Sequence, residues 1–270
     1  MRAFLDDTAQ IIGPKFEFGG EIPGRSEREK EIARFVLDKA ELIFEKAKKL
    51  GGVKYINSFE AFLQHRVYLM KYSKAEEGKN KREGDHSLEY SPEETALRQS
   101  LADWGNRLVE KGLVQGTWGN LSLRLSEEEM LVTPSGIDYE RITAKDIMKV
   151  KLSSLEYEEN GSLKPTSEKN LHAAIYLSRK DVNAIVHTHS SFCSVYAAAE
   201  KDMPFEGGLI RLAPYGIPGS KKLAENTAKA LGEGIGAIMA HHGMVACGGS
   251  LEEAFENACR LEESAEEQLS

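Results

Sequence analysis

From residue 91 onward, short apolar segments of β-strand length alternate with longer segments that have apolar residues at helical spacing. The strand-like segments read "LSLRL", "EMLVTP", "NAIVHTH" and "AIMAHHGMVAC". Because strands with helices between them pack as sheets covered by helices, this order predicts a mixed α/β domain. Periodicity alone gives neither the order nor the direction of the strands.

Helix start signals divide this region further. Ser91, followed by Pro92 and Glu94, is typical of a capped helix start, and Gly112 is placed to end that helix. Four later helices are predicted: from about Pro165 to Ser178, through residues 190–199, after Ser220 and from Ser250.

Residues 1–90 differ in character from the rest of the chain. A capping box at Ser26 begins a predicted helix, and a second helix is predicted from Ser58. Residues 74–90 are highly charged and nearly free of core-forming side chains, which indicates a linker or an exposed loop. We therefore expect an N-terminal helical appendage with its charged linker at 1–90 and a main domain at 91–270.

The composition disfavours several classes of partner and location. The formal net charge of −8 disfavours binding to nucleic acid or to an anionic membrane surface. No stretch approaches about 18 uncharged apolar residues, and the N-terminus has no apolar segment of signal-peptide length. The three cysteines have no CxxC spacing, which favours a reducing compartment. We expect a cytoplasmic protein with no nucleic-acid or membrane partner.

Two histidines one residue apart, His187 and His189, end an apolar segment. In an extended strand alternate side chains share a face, so both imidazoles point the same way from a rigid support. Such a pair suits zinc and similar metals, although two half-exposed histidines on a polar strand face would give the same pattern. The apolar strand that precedes the pair favours the metal site.

A third protein ligand must come from the other histidines. His241 and His242 follow the apolar segment "AIMA", and only one of two neighbouring strand residues can face the first pair. His172 is a further candidate, on a predicted helix one turn after Glu168. Spacing alone does not choose among them.

Six motifs, in order and with comparable spacing, resemble those of the class II aldolase/adducin family. They read "GTWGNLSLR", "TPSGI", "PTSEKNLHAAIY", "AIVHTHSSFCSVYA", "APYGIPGS" and "MAHHGMVACGGSLEEAF". The resemblance covers about residues 92–265, and the members that cleave L-fuculose 1-phosphate have the most similar pattern. Residues 1–90 have no counterpart in it. Trp118 stands where the family more commonly has a small residue.

The resemblance implies a metal centre with a base beside it. It makes His187, His189 and His242 the protein ligands of a catalytic zinc or another divalent transition metal. It makes Glu168 the acid/base residue. Taken alone, Glu168 would be only a glutamate in the first turn of a helix, where it favours the helix dipole.

The resemblance also implies an anion site and a contribution from a second subunit. The residues it assigns to the substrate phosphate are Asn120, Ser135, Gly136, Thr166 and Ser167. Tyr215 resembles a catalytic tyrosine that a neighbouring subunit contributes, which implies a homo-oligomer, most simply a tetramer. Taken alone, Tyr215 reads equally well as a turn tyrosine that packs beside Pro214.

For the fold, the resemblance implies a three-layer α/β/α sandwich with a central, mainly antiparallel sheet. For the activity, it implies a zinc-dependent lyase that cleaves a ketose 1-phosphate, such as L-fuculose 1-phosphate, into dihydroxyacetone phosphate and an aldehyde through an enediolate. A sugar-phosphate 4-epimerase, which typically has aspartate in place of Glu168, and a dehydratase of the same fold are alternatives. A non-catalytic adducin-like interaction module is another, although it would not need the three histidines and Glu168.

Overall fold

A computed structural model describes residues 38–39, 41–51, 84, 87–114 and 118–270. The helix predicted from Ser58 and the capping box at Ser26 lie outside the described residues, as does most of the predicted linker. The division of the chain at residue 90 therefore stays a prediction.

From residue 91 onward, the described part of the chain contains five α-helices, nine strands and two short 3₁₀-helices at Tyr139–Arg141 and Ala144–Asp146. The helices are α1 (Pro92–Glu110), α2 (Lys169–Ser178), α3 (Ser191–Ala199), α4 (Lys221–Leu231) and α5 (Leu251–Leu269). The strands are β1 (Asn120–Arg124), β2 (Glu129–Val132), β3 (Met148–Lys151), β4 (Ala184–Thr188), β5 (Met203–Phe205), β6 (Gly208–Ile210), β7 (Leu212–Ala213), β8 (Gly236–Met239) and β9 (Gly243–Gly248). None of the helices among these described residues is long and apolar enough to cross a membrane.

Seven of the strands form one sheet in the order β3-β2-β1-β4-β9-β8-β7, and β5 and β6 pair separately. Every pairing in the large sheet is antiparallel except that of β7 with β8. The central strand β4 lies between β1 and β9, with His187 opposite Asn120 on one side and Val245 on the other. The predicted mixed α/β domain with a mainly antiparallel sheet is confirmed.

Helices cover both faces of the large sheet. The side chains of Ala184 and Val186 pack into a core with residues of α1, α3 and α5. Ile185, which points to the opposite face, packs into a second core with residues of α2 and α4. This alternation along β4 is what a strand buried on both faces requires, and it confirms the predicted three-layer sandwich.

Three of the predicted helix starts are confirmed by their caps. The hydroxyl oxygens of Ser91, Ser220 and Ser250 each accept a hydrogen bond from a backbone N–H three residues later, at 3.1, 3.2 and 3.1 Å. A cap of this kind satisfies one of the N–H groups that the first turn leaves without a partner. At the end of α1, Gly112 has a φ of +69°, a left-handed conformation that glycine adopts without a steric cost.

A helical segment at residues 41–49, within the predicted appendage, packs against the main domain. The side chains of Ile43, Phe44 and Ala47 are buried, and the Lys46 ammonium donates a hydrogen bond to the carbonyl oxygen of Leu269 at 2.8 Å. Residues 41–49 therefore lie beside the C-terminal end of α5.

The helix predicted from about Pro165 begins four residues later, with Glu168 as its N-cap and Lys169 as its first residue. Pro165 forms an antiparallel bridge with Pro134, and the Thr166 N–H donates to the Thr133 carbonyl oxygen at 3.1 Å. This pairing holds residues 165 and 166 extended, which is incompatible with a helical turn there. The prediction was wrong at this boundary.

The segment "AIMAHHGMVAC" was also predicted wrongly as one strand, because it forms β8, a turn and β9. Met239 pairs with Gly243, so Ala240, His241 and His242 make the turn. His241 occupies its middle in a left-handed conformation with φ +56°. Because the chain reverses direction between the two strands, the alternation of side chains along a strand does not predict the orientations of His241 and His242.

Gly243 is required by the close approach of β4 and β9. A Cβ atom added to Gly243 would clash with the carbonyl oxygen of Thr188 and would lie 3.1 Å from Cδ2 of His189. We expect Gly243→Ala to lower the free energy of unfolding by about 1–3 kcal/mol, because the strands must separate to admit the methyl group. Urea denaturation measures this change.

The matched control is Gly208→Ala, since a Cβ there would meet only the Phe205 carbonyl oxygen at 3.6 Å. Gly208 lies in an exposed part of the β5–β6 pair. Equal losses of stability in the two variants would contradict the steric account.

Candidate metal centre and active site

Three histidines meet where β4 ends and β9 begins. His187 is in β4, His189 follows that strand by one residue, and His242 immediately precedes β9. Their ring centroids are 4.8–5.1 Å apart, and the Nε2 atoms of His187 and His189 are separated by 3.1 Å. One nitrogen from each ring lies within 4.8 Å of the others, so the structure brings together the three predicted ligands.

All three rings are buried, and burial depresses the pKa of each. The pKa values of His187 and His189 fall to about 3, and that of His242 falls well below its usual value. Burial is the largest cause in each case, since a buried imidazolium loses its hydration. Neutral imidazoles are the form that binds a metal ion.

The tautomer of His187 follows from its hydrogen bond. Its Nδ1 lies 2.8 Å from the carbonyl oxygen of Met244, which can only accept, so Nδ1 carries the proton. The lone pair of Nε2 is therefore directed toward the other two rings. A backbone carbonyl that holds the second nitrogen of a ligand histidine is typical of metal sites.

The donor set fits a metal ion. Tetrahedral zinc with Zn–N bonds of about 2.0–2.1 Å places its nitrogen ligands about 3.3 Å apart, close to the 3.1 Å between His187 and His189. His242 Nδ1 and Glu168 Oε2 are buried with no hydrogen-bond partner among the described residues. Buried polar atoms without partners are costly, and a bound cation or substrate would relieve that cost.

Neither of the other candidate histidines joins this cluster. His241 directs its ring away and lies 2.6 Å, Nε2 to Oε1, from the carboxylate of Glu200. His172 has both ring nitrogens in hydrogen bonds, to Asn120 Oδ1 at 2.5 Å and to Ser122 Oγ at 2.6 Å. The turn between β8 and β9 therefore places His242, and not His241, beside His187 and His189. The sequence pattern alone did not distinguish the two.

Glu168 places a buried carboxyl group beside the histidines. Its side chain is 4% exposed, and Oε1 lies 4.0 Å from Nε2 of His242. Burial raises the pKa of Glu168 to about 7, while a hydrogen bond from the backbone N–H of Gly219 lowers it. A carboxyl group with a pKa near neutrality can both take up and release a proton during a reaction.

The residues predicted to bind phosphate lie on three neighbouring segments. Asn120 begins β1, and the next residue of β1 pairs with Thr133 through two hydrogen bonds of 3.0 and 3.2 Å. The Ser135 N–H donates to the Lys164 carbonyl oxygen at 2.8 Å, which joins the turn at Gly136 to the segment that carries Thr166 and Ser167. The structure therefore brings the predicted residues to one end of the sheet.

Asn120 connects these segments to the histidine cluster. It is the direct cross-strand partner of His187, so the two side chains leave the same face of the sheet. Gly119 permits this approach, because a Cβ there would lie 2.6 Å from the His187 carbonyl oxygen. Trp118, just before it, is buried.

Tyr215 lies apart from the buried cluster in this single chain. It is in the segment between β7 and α4, is 38% exposed, and has its ring centroid 6.0 Å from that of His241. Its predicted action across a subunit interface stays a prediction.

Glu262, on α5, supports the site through hydrogen bonds that the sequence did not predict. Its carboxylate accepts hydrogen bonds from the Ser190 hydroxyl at 2.7 Å and from the N–H groups of Phe192 and Cys193 at 2.7 and 2.9 Å. These bonds hold Ser190, which follows His189, and the first turn of α3 in place. A negative charge is favourable at the N-terminus of a helix. The sequence signal that could have identified Glu262 is its position one helical turn after Ala258, a predicted inward-facing residue of the same helix that the structure shows buried.

We expect Glu262→Gln to lower the free energy of unfolding by about 1–3 kcal/mol, because three donors lose a charged acceptor. Urea denaturation of the two proteins gives the difference. Glu267→Gln, at an exposed position on the same helix, is the control and should change stability little. Equal losses of unfolding free energy in the two variants would show that the Glu262 carboxylate does not stabilise the start of α3.

Comparison with known proteins places this site in a family. Residues 99–269 match the family model described as "Class II Aldolase and Adducin N-terminal domain". The L-fuculose phosphate aldolase of Escherichia coli (strain K12) is 36% identical over 171 residues, which are 60% of this chain and 78% of that protein. The 3-oxo-tetronate 4-phosphate decarboxylase of Haemophilus influenzae is 33% identical over 184 residues, 63% of this chain and 85% of that protein.

Among solved structures, an L-fuculose 1-phosphate aldolase is similar, with a TM-score of 0.60 and 32% sequence identity. The similarity covers 67% of this chain and 86% of that one. The family model spans α1 from its eighth residue through the last residue of α5, and thus includes the whole sheet and the histidine cluster. This chain belongs to the class II aldolase/adducin family.

Proposed function

We propose that this protein is a zinc-dependent class II aldolase that cleaves a ketose 1-phosphate, such as L-fuculose 1-phosphate, into dihydroxyacetone phosphate and an aldehyde. The observation that carries the proposal is the cluster of three buried, neutral histidines with the Glu168 carboxyl group 4.0 Å from one of them. A structural role would not require three converging imidazoles beside an acid whose pKa is raised to about 7.

His187, His189 and His242 are the residues that would hold the metal ion. When bound, zinc would act as a Lewis acid toward the oxygens next to the bond that breaks and would stabilise the negative charge of the enediolate. Three neutral nitrogen ligands suit such a catalytic ion, since a structural zinc site generally has four protein ligands. The Met244 carbonyl oxygen fixes the orientation of His187 for this task.

The substrate phosphate would lie at the end of the sheet beside Asn120. The side-chain donors there are the Asn120 amide and the hydroxyls of Ser135, Thr166 and Ser167, and the tight turn at Gly136 offers backbone N–H groups. Gly136 has a φ of +78°, and successive N–H groups in such turns converge on anions. The chain has a net negative charge, so a local donor site of this kind is needed to bind an anionic substrate.

Glu168 would transfer the proton at the carbon next to the carbonyl group. In the cleavage direction it gives a proton to the enediolate carbon, and in the synthetic direction it removes that proton. The neighbouring Gly219 N–H holds the carboxyl group in place. Tyr215 would serve the aldehyde oxygen from a neighbouring subunit, which makes the working form a homo-oligomer, most simply a tetramer.

The domain organisation and location belong to the same proposal. Residues 91–270 would form the catalytic domain, and residues 1–90 would form a helical appendage and linker. The three cysteines are all free thiols, two of them buried, which is consistent with work in the cytoplasm.

Other activities of the family are distinguished by particular residues. A sugar-phosphate 4-epimerase would be expected to have aspartate in place of Glu168, and an adducin-like interaction module would not need the histidine cluster. The similarity to a decarboxylase of a 3-oxo-tetronate 4-phosphate supplies a second candidate, since loss of carbon dioxide also leaves an enediolate. Assays must therefore include both classes of substrate.

We expect His189→Ala to abolish stoichiometric metal binding, because it removes one of three convergent ligands. The measurement is elemental analysis of the purified, dialysed protein. His241→Ala is the control, since its ring lies against Glu200 and outside the cluster. Full zinc occupancy in the His189 variant would contradict the assignment of the ligands.

We expect Glu168→Gln to keep the metal and to lower kcat by about 10²–10⁴-fold, because the amide cannot transfer a proton. Metal content and steady-state kinetics on the same preparation separate the two effects. Cleavage at the normal rate by this variant would show that another group is the base.

A panel of ketose 1-phosphates, read out by release of dihydroxyacetone phosphate, tests the activity itself. We expect turnover of at least one ketose and its loss when a chelator removes the metal. Bound metal with no turnover on the panel, together with carbon dioxide release from a 3-oxo-tetronate 4-phosphate, would replace the aldolase with the decarboxylase. Undiminished turnover without metal would contradict both.

A further inference from the structure

A chain of four buried polar side chains runs beneath the site, and the proposed reaction does not use three of them. His172 Nε2 lies 2.5 Å from Asn120 Oδ1, and His172 Nδ1 lies 2.6 Å from Ser122 Oγ. Ser122 Oγ lies 2.8 Å from the hydroxyl of Tyr176. Ser122, His172 and Tyr176 are each fully buried, and Asn120 is 6% exposed.

The acceptor at one end determines the direction of every hydrogen bond in this chain. The carbonyl oxygen of the Asn120 amide can only accept, so Nε2 of His172 carries the proton and donates it. Nδ1 of His172 then has a lone pair and accepts from the Ser122 hydroxyl. Because the Ser122 proton goes to His172, the Ser122 oxygen accepts from Tyr176 at 2.8 Å, which is shorter than the 3.4 Å from the Tyr176 hydroxyl to the Asn183 carbonyl oxygen. Donation therefore runs from Tyr176 through Ser122 and His172 to Asn120.

His172 stays neutral in this position. Burial, with a smaller contribution from the neighbouring His187, depresses the pKa of His172 to about 3. A neutral imidazole has one donor and one acceptor, and both are used here. If His172 were protonated, both ring nitrogens would be donors, and Nδ1 could no longer accept the hydrogen bond from the Ser122 hydroxyl.

Because the Asn120 carbonyl oxygen accepts from His172, the Asn120 amide nitrogen is available to donate to a different partner. Oδ1 is held by His172, and Nδ2 has no hydrogen bond to another described residue. Asn120 is also the cross-strand partner of His187, so the Asn120 side chain leaves the sheet on the same face as His187. Had the amide been turned the other way, a carbonyl oxygen would face an anion.

We propose that His172 is a positioning residue that locks the Asn120 amide with its N–H groups toward the substrate phosphate. The inference rests on the proposed function, because it takes Asn120 as a phosphate contact. His172 acts through Asn120 and touches neither the substrate nor the metal. The Ser122 hydroxyl, which donates to Nδ1, matches the Nε2–H tautomer that this requires.

A simple packing role would give different results. A histidine kept only to fill the core would affect stability but would leave the phosphate affinity of the folded protein unchanged. A positioning role predicts that the affinity for phosphate falls and that KM rises more than kcat falls. These readouts separate the two roles.

The first experiment measures inorganic phosphate binding by calorimetry and steady-state kinetics for His172→Phe and His172→Gln. The phenylalanine lacks both hydrogen bonds, so we expect phosphate binding to weaken and KM to rise by about 10- to 100-fold, with zinc content unchanged. Glutamine has an N–H donor for Asn120 and an oxygen acceptor for Ser122, so it should restore much of the affinity. Unchanged phosphate affinity in the phenylalanine variant would overturn the inference.

The second experiment needs no substitution in the core, and it reads the tautomer directly. Long-range proton–nitrogen correlation spectra of the zinc-loaded protein, labelled with ¹⁵N-histidine, distinguish Nδ1–H from Nε2–H. The His172 signals are identified by their loss in His172→Gln. The inference predicts the Nε2–H form, and an Nδ1–H form would overturn it whatever the kinetics show.

The third experiment tests the orientation of the amide with Asn120→Asp and Asn120→Ala. Aspartate keeps an acceptor for His172 but turns a carboxylate oxygen toward the phosphate, so it should bind phosphate more weakly than the alanine variant. Equal or tighter binding by the aspartate variant would overturn the orientation.

The outcomes for the unsubstituted protein separate this inference from the proposed function. If that protein binds phosphate and cleaves a ketose 1-phosphate but His172→Phe is unaffected, only the inference fails. If it neither binds phosphate nor acts on any sugar phosphate, the proposed function fails and the inference fails with it.

Discussion

The antiparallel pairing of β4 with β9 is the constraint on which the rest of the site depends. It aligns the end of one strand with the start of the other, so that His187 and His189 meet His242 across the turn. Gly243 lets the two backbones approach, since any side chain there would clash with Thr188. Pairing of β4 with β1 on its other side then places Asn120 beside His187.

Burial gives this arrangement its chemical character. It lowers the pKa of each of the three histidines, which keeps the imidazoles neutral, and it raises the pKa of Glu168 to about 7. The same burial would be costly for His172, but its two ring nitrogens are satisfied by Asn120 and Ser122. Helix α2 thus presents Glu168 at its start and His172 one turn later, and His172 contacts Asn120 and Ser122 of β1.

Local patterns in the sequence predicted much of this fold and part of the site. Strand alternation predicted that His187 and His189 share a face, and serine caps predicted where α1, α4 and α5 begin. The choice of His242 over His241 depends on a left-handed turn between two strands, which the pattern "AIMAHHGMVAC" does not reveal. The roles of Glu262 and Pro165 depend on contacts with distant segments, which have no periodic signal. The resemblance to the family supplied what spacing alone left open.

The central claim is that three histidines of this chain hold a catalytic metal ion at the end of the sheet. X-ray absorption spectroscopy of the zinc-loaded protein tests it most directly, because it reports which atoms coordinate the metal. We predict a first shell of nitrogen and oxygen atoms at about 2.0–2.1 Å, with an imidazole scattering pattern that fits three histidines. A shell containing sulfur at about 2.3 Å, or one with fewer than three imidazoles, would contradict the account.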